Sequence, residues 1–315
     1  MITGETQSTC YAMAQDMARL WIGKDASDID GCMQLLHAFT AYNATVKSAF
    51  DMALYDLAGK KAGVPLYKYL GGEIKTMETD LTIGLNTPTI MGEQATAFIG
   101  RGVHMLKVKL GTTPEEDIER IRQVRATTGP EVKIRIDANQ GWSFDDAVTA
   151  LTGLEQFDIQ FCEQPMRRYD DGKLPVLRTL TSIPIMADES VFDHHDAKRI
   201  IEADACDYVN IKFAKSSGIR EALLINEVCE ANNVPCMMGG MLESRIALTA
   251  FAHFASATSN IHFYDMDTCM LGHKEDPVEG GVTFDGFYVI LPSVPGIGAD
   301  IRESYLEKLE SVRIS

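Results

Sequence analysis

His104-Met105-Leu106-Lys107-Val108-Lys109-Leu110-Gly111 reads as a β-strand that carries two lysines on one face. Alternate side chains of a strand share a face, so Lys107 and Lys109 project together, about 7 Å apart, while Leu106, Val108 and Leu110 take the other side. On a buried strand each ammonium disfavours the charge on its neighbour and lowers its pKa, which makes both lysines candidate bases. Taken alone, the stretch is better explained as a sheet edge with both lysines in water. Its surroundings reverse that preference.

From Thr79 onward, short β-branched or apolar runs alternate with helical segments. Strands are predicted at 79–84, 104–110, 132–137, 158–163, 184–188, 206–212, 234–239 and 261–265. Eight strands in β/α alternation are the pattern of a parallel barrel. No eighth helix follows Asp267, so the expected class is α/β, a TIM-like (β/α)7β barrel, with the C-terminal segment leaving to pack on the N-terminal helices. Ahead of the barrel, apolar residues recur at helical spacing in Met13, Met17, Leu20 and Trp21, then in Ile29, Met33 and Leu36 after a Ser27/Asp30 capping pattern. A third set, Val46, Ala49, Phe50, Ala53, Leu54 and Leu57, is stopped by Gly63-Val64-Pro65. Beyond the barrel, Gly280–Phe284 and Phe287–Leu291 suggest a hairpin. The expected units are a mainly helical partial cap at 1–72, the barrel at 73–270, and a returning segment at 271–315.

The chain has 315 residues, 45% of them hydrophobic and 23% charged, enough for one large α/β domain and a smaller one. Its net charge of -16 argues against a nucleic-acid or anionic-membrane partner. Seven scattered cysteines without a CxxC suggest neither a disulfide framework nor a zinc site, and point to reduced thiols in the cytoplasm. No apolar run is long enough to span a bilayer. A homo-oligomer stays open.

The active site of such a barrel lies at the C-terminal ends of its strands. Strand 3 ends Ile134-Arg135-Ile136-Asp137-Ala138-Asn139, strand 4 ends Phe161-Cys162-Glu163-Gln164-Pro165, and strand 5 ends Met186-Ala187-Asp188-Glu189-Ser190. A single carboxylate at such a junction is most simply a helix N-cap. Three on adjacent strands, Asp137, Glu163 and Asp188, would repel unless a cation lies among them, and their oxygens suit Mg2+ better than zinc. In Tyr208-Val209-Asn210-Ile211-Lys212-Phe213, alternation points Tyr208, Asn210 and Lys212 inward. Strand 6 is four strands from strand 2, so Lys212 faces Lys109 across the mouth. Strand 8 ends Phe263-Tyr264-Asp265-Met266-Asp267, where two aspartates share a face. Asp-x-Asp is as readily a solvated loop, but at this mouth it is a candidate for an ammonium group.

These residues resemble the enolase superfamily, specifically its muconate lactonizing subgroup and, within it, the dipeptide epimerases. The resemblance is carried by Ala53-Leu54-Tyr55-Asp56-Leu57, Lys107-Val108-Lys109, Asp137-Ala138-Asn139, Glu163-Gln164-Pro165, Asp188-Glu189-Ser190, Asn210-Ile211-Lys212, Glu243-Ser244 and Asp265-Met266-Asp267. It implies one Mg2+ held by Asp137, Glu163 and Asp188, with Asn139, Glu189 and Asn210 behind them, and Lys109 and Lys212 as the two acid/base catalysts. A lysine base acting with Mg2+ through an enediolate is the general chemistry of that superfamily. The resemblance further places Lys107, Thr82, Gly240, Asp265 and Asp267 against the substrate, with Lys107 tuning Lys109 and the aspartate pair binding an α-ammonium. It also implies a preceding segment, a small antiparallel sheet and a mobile loop, ahead of Ile2-Thr3-Gly4-Glu5-Thr6, whereas the sequence begins at Met1.

The resulting expectation is a Mg2+-dependent isomerase that inverts the C-terminal residue of a dipeptide, Ala-Glu-like or otherwise peptidoglycan-derived. The alternatives are an o-succinylbenzoate synthase, an N-acylamino acid racemase or another muconate-lactonizing-type enzyme, and an inactive fragment lacking its lid.

Overall fold

Helices form first along the chain because their apolar residues recur on one face. In the computed structural model, which describes residues 2–271 and 274–315, these are α1 (Gln7–Leu20), α2 (Ile29–Phe39), α3 (Ala44–Ala62) and the single turn α4 (Leu66–Tyr69). Met17, Cys32, Met33, Leu36, Val46 and Leu54 bury together as their common core. The cap of α2 is Asp28 rather than Ser27 with Asp30. Asp28 immediately precedes the first helical residue, and its Oδ1 accepts the Gly31 N–H at 2.9 Å.

Eight parallel strands follow in sequence order: β1 (Leu81–Ile83), β2 (Met105–Lys109), β3 (Lys133–Asp137), β4 (Ile159–Glu163), β5 (Ile185–Ala187), β6 (Tyr208–Ile211), β7 (Cys236–Met238) and β8 (Ile261–Tyr264). Between them lie α5 (Pro88–Ile99), α6 (Pro114–Thr128), α7 (Phe144–Leu154), α8 (Leu174–Thr179), α9 (His194–Glu202), the short α10 (Phe213–Ser216), α11 (Ile219–Ala231) and α12 (Arg245–Ala257). After β8 comes one 3-10 turn, Thr268–Met270, so the barrel is (β/α)7β as expected. Leu81, Ile83, Leu106, Val108, Ile134, Ile136, Val209 and Ile211 face outward into the helix layer and are buried there.

The ladder is continuous from β1 to β8, with register Lys109↔Asp137 and Asp137↔Glu163. Between β8 and β1 no ladder is recorded among the described residues. Asp80 N–H reaches Tyr264 O at 3.3 Å, and the rest of that seam is closed by side chains.

The returning segment forms β9 (Val278–Gly280), β10 (Thr283–Asp285), β11 (Tyr288–Ile290) and β12 (Ala299–Ile301), followed by the short helix α13 (Glu303–Leu306). The expected hairpin exists only as β10 with β11, and β9 pairs instead with β12. Gly280 and Gly281, at φ of 69° and 79°, break the chain between β9 and β10, which an extended strand would not tolerate. The segment reaches the N-terminal helices as expected: Leu66 N–H donates to Gly296 O at 2.8 Å, and Asp56 Oδ1 accepts the Ile297 N–H at 2.7 Å. Asp51 on α3 caps α11 from outside, with Oδ2 accepting the Ile219 N–H at 2.5 Å.

Candidate active site

The inward faces of the strands stack in layers. The lower layer is apolar: Phe161, Met186 and Met237, joined by Tyr208 and Phe263. Arg135, two residues before Asp137 on β3, lies in it with its guanidinium 5.3 Å from the Phe161 ring centre and 5.2 Å from that of Phe263. Stacking on aromatic faces lets a charged side chain sit at this depth.

Above it stand the three strand-end carboxylates, all fully buried, with ammonium groups packed against them. Lys109 Nζ lies 2.6 Å from Asp137 Oδ2. Lys212 Nζ is 2.8 Å from Asp188 Oδ2 and 3.4 Å from Glu163 Oε1. Lys107 Nζ stands at the centre, 3.2 Å from Asp137 Oδ2, 2.8 Å from Glu163 Oε2 and 2.7 Å from Asp265 Oδ2. The two outer lysines therefore approach one carboxylate trio from β2 and from β6. Their surroundings differ, since the Lys109 side chain is 28% exposed and that of Lys212 only 3%.

Burial pulls the Lys107 ammonium down, yet Asp265, Glu163, Asp137 and Asp80 outweigh it and hold Lys107 well above the usual lysine range. The repulsion between neighbouring lysines anticipated from the strand pattern is thus the weaker effect at Lys107. Lys212 is also held up, against its burial, by Asp188 and Glu163. Burial pushes Asp137 up, but Lys109, Lys107 and Lys212 bring its carboxyl down to about 2. Asp188 is held below the usual range, its burial overcome by Lys212 and Lys215. Glu163 goes the other way, raised by burial and by Asp137.

Several groups hold this layer in place. Asn210 Nδ2 donates to Glu163 Oε1 at 2.8 Å, as its place behind the ligands implies. Asn139 contributes through its backbone N–H, 2.9 Å from Asp137 Oδ1, while its side chain is exposed. Glu189 is buried, with Oε2 unpartnered, and burial followed by Asp188 pushes its carboxyl up to about 8. Gly239 is required beside Asn210, because a Cβ there would stand 2.2 Å from Asn210 Oδ1. Two residues in this layer carried no role in the sequence reading. Gln164, strained at φ 36°, accepts the Asp188 N–H at 2.9 Å and the Ser190 N–H at 3.2 Å on Oε1, tying the end of β4 to that of β5. Lys215 is buried with Nζ 2.5 Å from Asp188 Oδ1 and 3.0 Å from Asn210 O. For Gln164 the signal was a polar side chain one step beyond the end of β4; Lys215, inside α10, gave none.

The second polar group lies on the β8/β1 seam. Asp265 and Asp267 are both buried, and Asp267 Oδ2 accepts the Thr82 N–H at 2.7 Å. Met266 N–H donates to Thr79 Oγ1 at 2.8 Å. Gly240 abuts the pair, since a Cβ on it would lie 3.1 Å from Asp265 O. The seam also holds Asp80, unassigned by the sequence reading, whose Oδ2 accepts from Arg135 Nη1 at 2.8 Å. Alternation from Thr82 was the signal that could have turned Asp80 inward. Burial and Asp265 push Asp267 up to about 6, while Lys107 holds Asp265 below the usual range despite its burial.

Two sets of carboxylates could thus attract a cation. One oxygen each of Asp80, Asp265 and Asp267 lies within 4.8 Å of the others. The strand-end trio is wedged by ammonium groups, yet Glu163 Oε2 and Asp188 Oδ1 are buried without an aligned hydrogen bond. Buried carboxylate oxygens at the ends of three adjacent strands form the hard donor set that suits Mg2+.

Comparison with known proteins gives the family of the chain. Residues 1–71 match the model described as mandelate racemase / muconate lactonizing enzyme, N-terminal domain, and residues 91–305 match that described as enolase C-terminal domain-like. The chain is 42% identical to the D-Ala-D/L-Ala epimerase of Cytophaga hutchinsonii, over all of this chain and 86% of that protein. The dipeptide epimerase of Cytophaga hutchinsonii, solved with Mg and D-Ala-L-Val, superposes with a TM-score of 0.98 at 41% identity, covering 100% of this chain and 86% of that one. The dipeptide epimerase of Enterococcus faecalis V583, solved with Mg and L-Leu-L-Tyr, gives 0.91 at 37% identity over 95% of this chain and 84% of that one.

Proposed function

The chain belongs to the enolase superfamily, in its mandelate racemase and muconate lactonizing branch, and from that membership we propose that it is a Mg2+-dependent dipeptide epimerase. It inverts the α-carbon of the C-terminal residue of a dipeptide with a free amino terminus. The observation that carries this reading is Lys107, whose ammonium joins the strand-end trio to Asp265 and so places a carboxylate-handling group and an ammonium-seeking pair in one mouth.

Asp137, Glu163 and Asp188 would hold the metal. Bound there, Mg2+ supplies positive charge that acidifies the α-proton of a substrate carboxylate and offsets the trio's pull on the lysines. Lys107 pairs with that carboxylate. Lys109 and Lys212 stand on either side, so an α-carbon seated between them meets one lysine on each face. One lysine, as neutral amine, takes the proton from one face, and the other, as ammonium, returns a proton on the opposite face. The reverse reaction exchanges their roles. Asp265 and Asp267 receive the α-ammonium, which N-acylated substrates lack, and this favours a dipeptide over the substrates of acylamino acid racemases.

The seven free cysteines fit an enzyme of the cytoplasm, and among the described residues no helix is long and apolar enough to cross a membrane. Proton NMR in D2O across a dipeptide library tests the activity. Metal-dependent loss of one α-proton signal, with appearance of the second epimer, is expected; no exchange with any dipeptide sinks the reading.

A further inference from the structure

The seam cluster carries more negative charge than its own cations offset. Among the described residues, Asp80, Asp265 and Asp267 face only Arg135 and Lys107 at ion-pair distance. Oδ2 of each carboxylate is already engaged: Asp80 by Arg135, Asp265 by Lys107 and Asp267 by the Thr82 N–H. Oδ1 of Asp80 is different. It is buried, on a fully buried residue, and has no hydrogen-bond partner.

A buried anionic oxygen without a donor is costly unless something arrives to satisfy it. The spacing leaves room for a primary ammonium. A primary ammonium has three N–H donors, and three acceptors set tetrahedrally about 2.8 Å from its nitrogen stand about 4.6 Å apart. The three carboxylates present one oxygen each within 4.8 Å of one another. With Arg135 and Lys107 already on the three carboxylates, one further positive charge balances the cluster.

We propose that Asp80 is the third acceptor for the substrate's α-ammonium, completing a tripod with Asp265 and Asp267, and that Arg135 is the positioning residue that fixes Asp80. The assignment rests on the dipeptide reading above and extends it. Arg135 reaches Asp80 from β3 across the aromatic layer, and its Nη1 also donates to Tyr264 O at 3.2 Å, so one guanidinium holds both sides of the seam. Burial and then Asp265 push the Asp80 carboxyl up to about 8, in keeping with a cluster that gains from an added cation. A tripod admits a primary ammonium and rejects an amide at the same place, which would leave the carboxylates unpaired.

The test compares two ligands on the Mg2+-loaded protein by calorimetry: a dipeptide that the wild type epimerises, and its propionyl counterpart, alike in shape but without the ammonium. In Asp80→Asn the preference for the dipeptide should fall at least about tenfold, with the affinity for the propionyl compound little changed. A purely structural defect weakens both ligands alike and leaves their ratio intact, and an intact ratio overturns the proposal. Should Asp80→Asn fold poorly because Arg135 is left unpaired, Asp80→Asn/Arg135→Gln removes both charges and is read by the same ratio. Titration with Mg2+ alone should give one ion per chain in wild type and in Asp80→Asn. A second ion that disappears with Asp80 would make this a metal site and overturn the ammonium assignment. A wild type that exchanges no dipeptide fails the epimerase reading and this assignment with it; a wild type that exchanges one, with an unchanged ratio in the variants, fails Asp80 alone.

Discussion

The strand-end trio and the seam cluster share one barrel mouth but are held by different means. Asp137 and Glu163 stand in register on paired strands with Lys109 beside them, so the backbone ladder itself sets their spacing. Asp80, Asp265 and Asp267 sit where β8 and β1 meet, and there Asp267 and Thr79 take backbone N–H groups that a ladder would have used. Lys109, Asp137 and Glu163 are thus mounted on paired strands. Recognition of the amino terminus is mounted on a seam that side chains close.

The largest effect should separate the two regions most cleanly. Replacing Lys109 or Lys212 with alanine should lower epimerisation by at least about a hundredfold. Exchange from the epimer presented to the surviving lysine should persist in D2O, with dipeptide affinity nearly unchanged. Full activity in both variants would refute the two-lysine scheme. Next, Asp265→Asn combined with Asp267→Asn should cost about a hundredfold in kcat/KM for dipeptides, because charge-assisted hydrogen bonds to the ammonium are lost. Proton exchange from an N-acylated analogue, if it occurs in wild type, should be spared. Equal loss with both substrates would erase the functional distinction between trio and seam.

A smaller effect is expected at Gln164. Gln164→Met frees the ends of β4 and β5 and should weaken Mg2+ binding about tenfold by calorimetric titration, as for other groups that orient metal ligands. The preference for a dipeptide over its propionyl counterpart should not move, and a shift in it would mean that the regions are coupled. The smallest effect comes from pH. A carboxyl raised to about 6 is ionised above that pH and takes up a proton as pH falls through it, so Asp267 loses its charge between pH 7 and 5. Dipeptide affinity should fall several-fold over that interval while the propionyl compound is less affected; parallel curves would remove Asp267 from ammonium binding.

How far the site was legible follows from the same contrast. Strand alternation is local, and it put Lys107 with Lys109 and Asn210 with Lys212, while strand ends singled out Asp137, Glu163 and Asp188; the structure brings these residues together. Alternation applied equally to Arg135 and Asp80, but a single inward charge has no stated partner until the barrel closes. The hairpin shows the other limit. Apolar runs at Gly280–Phe284 and Phe287–Leu291 do pair, as β10 with β11, but two left-handed glycines assign Val278–Gly280 to β12, nineteen positions further on when counted from Gly280 to its partner Ala299. Asn139, placed by its motif behind the ligands, acts there through its N–H alone.

By itself, the sequence determined the β/α alternation, the polar strand ends and the two lysines four strands apart, because periodicity and strand order are properties of the chain. The tertiary structure decided that Lys107 bridges trio and seam, that Gln164 and Lys215 hold Asp188, and that Asp80 meets Asp265 and Asp267 over Arg135. Those contacts join residues up to 187 positions apart in number, as Asp80 and Asp267 are. Only closure of the barrel removes the water that would otherwise satisfy them, and only then does each buried charge need a particular partner.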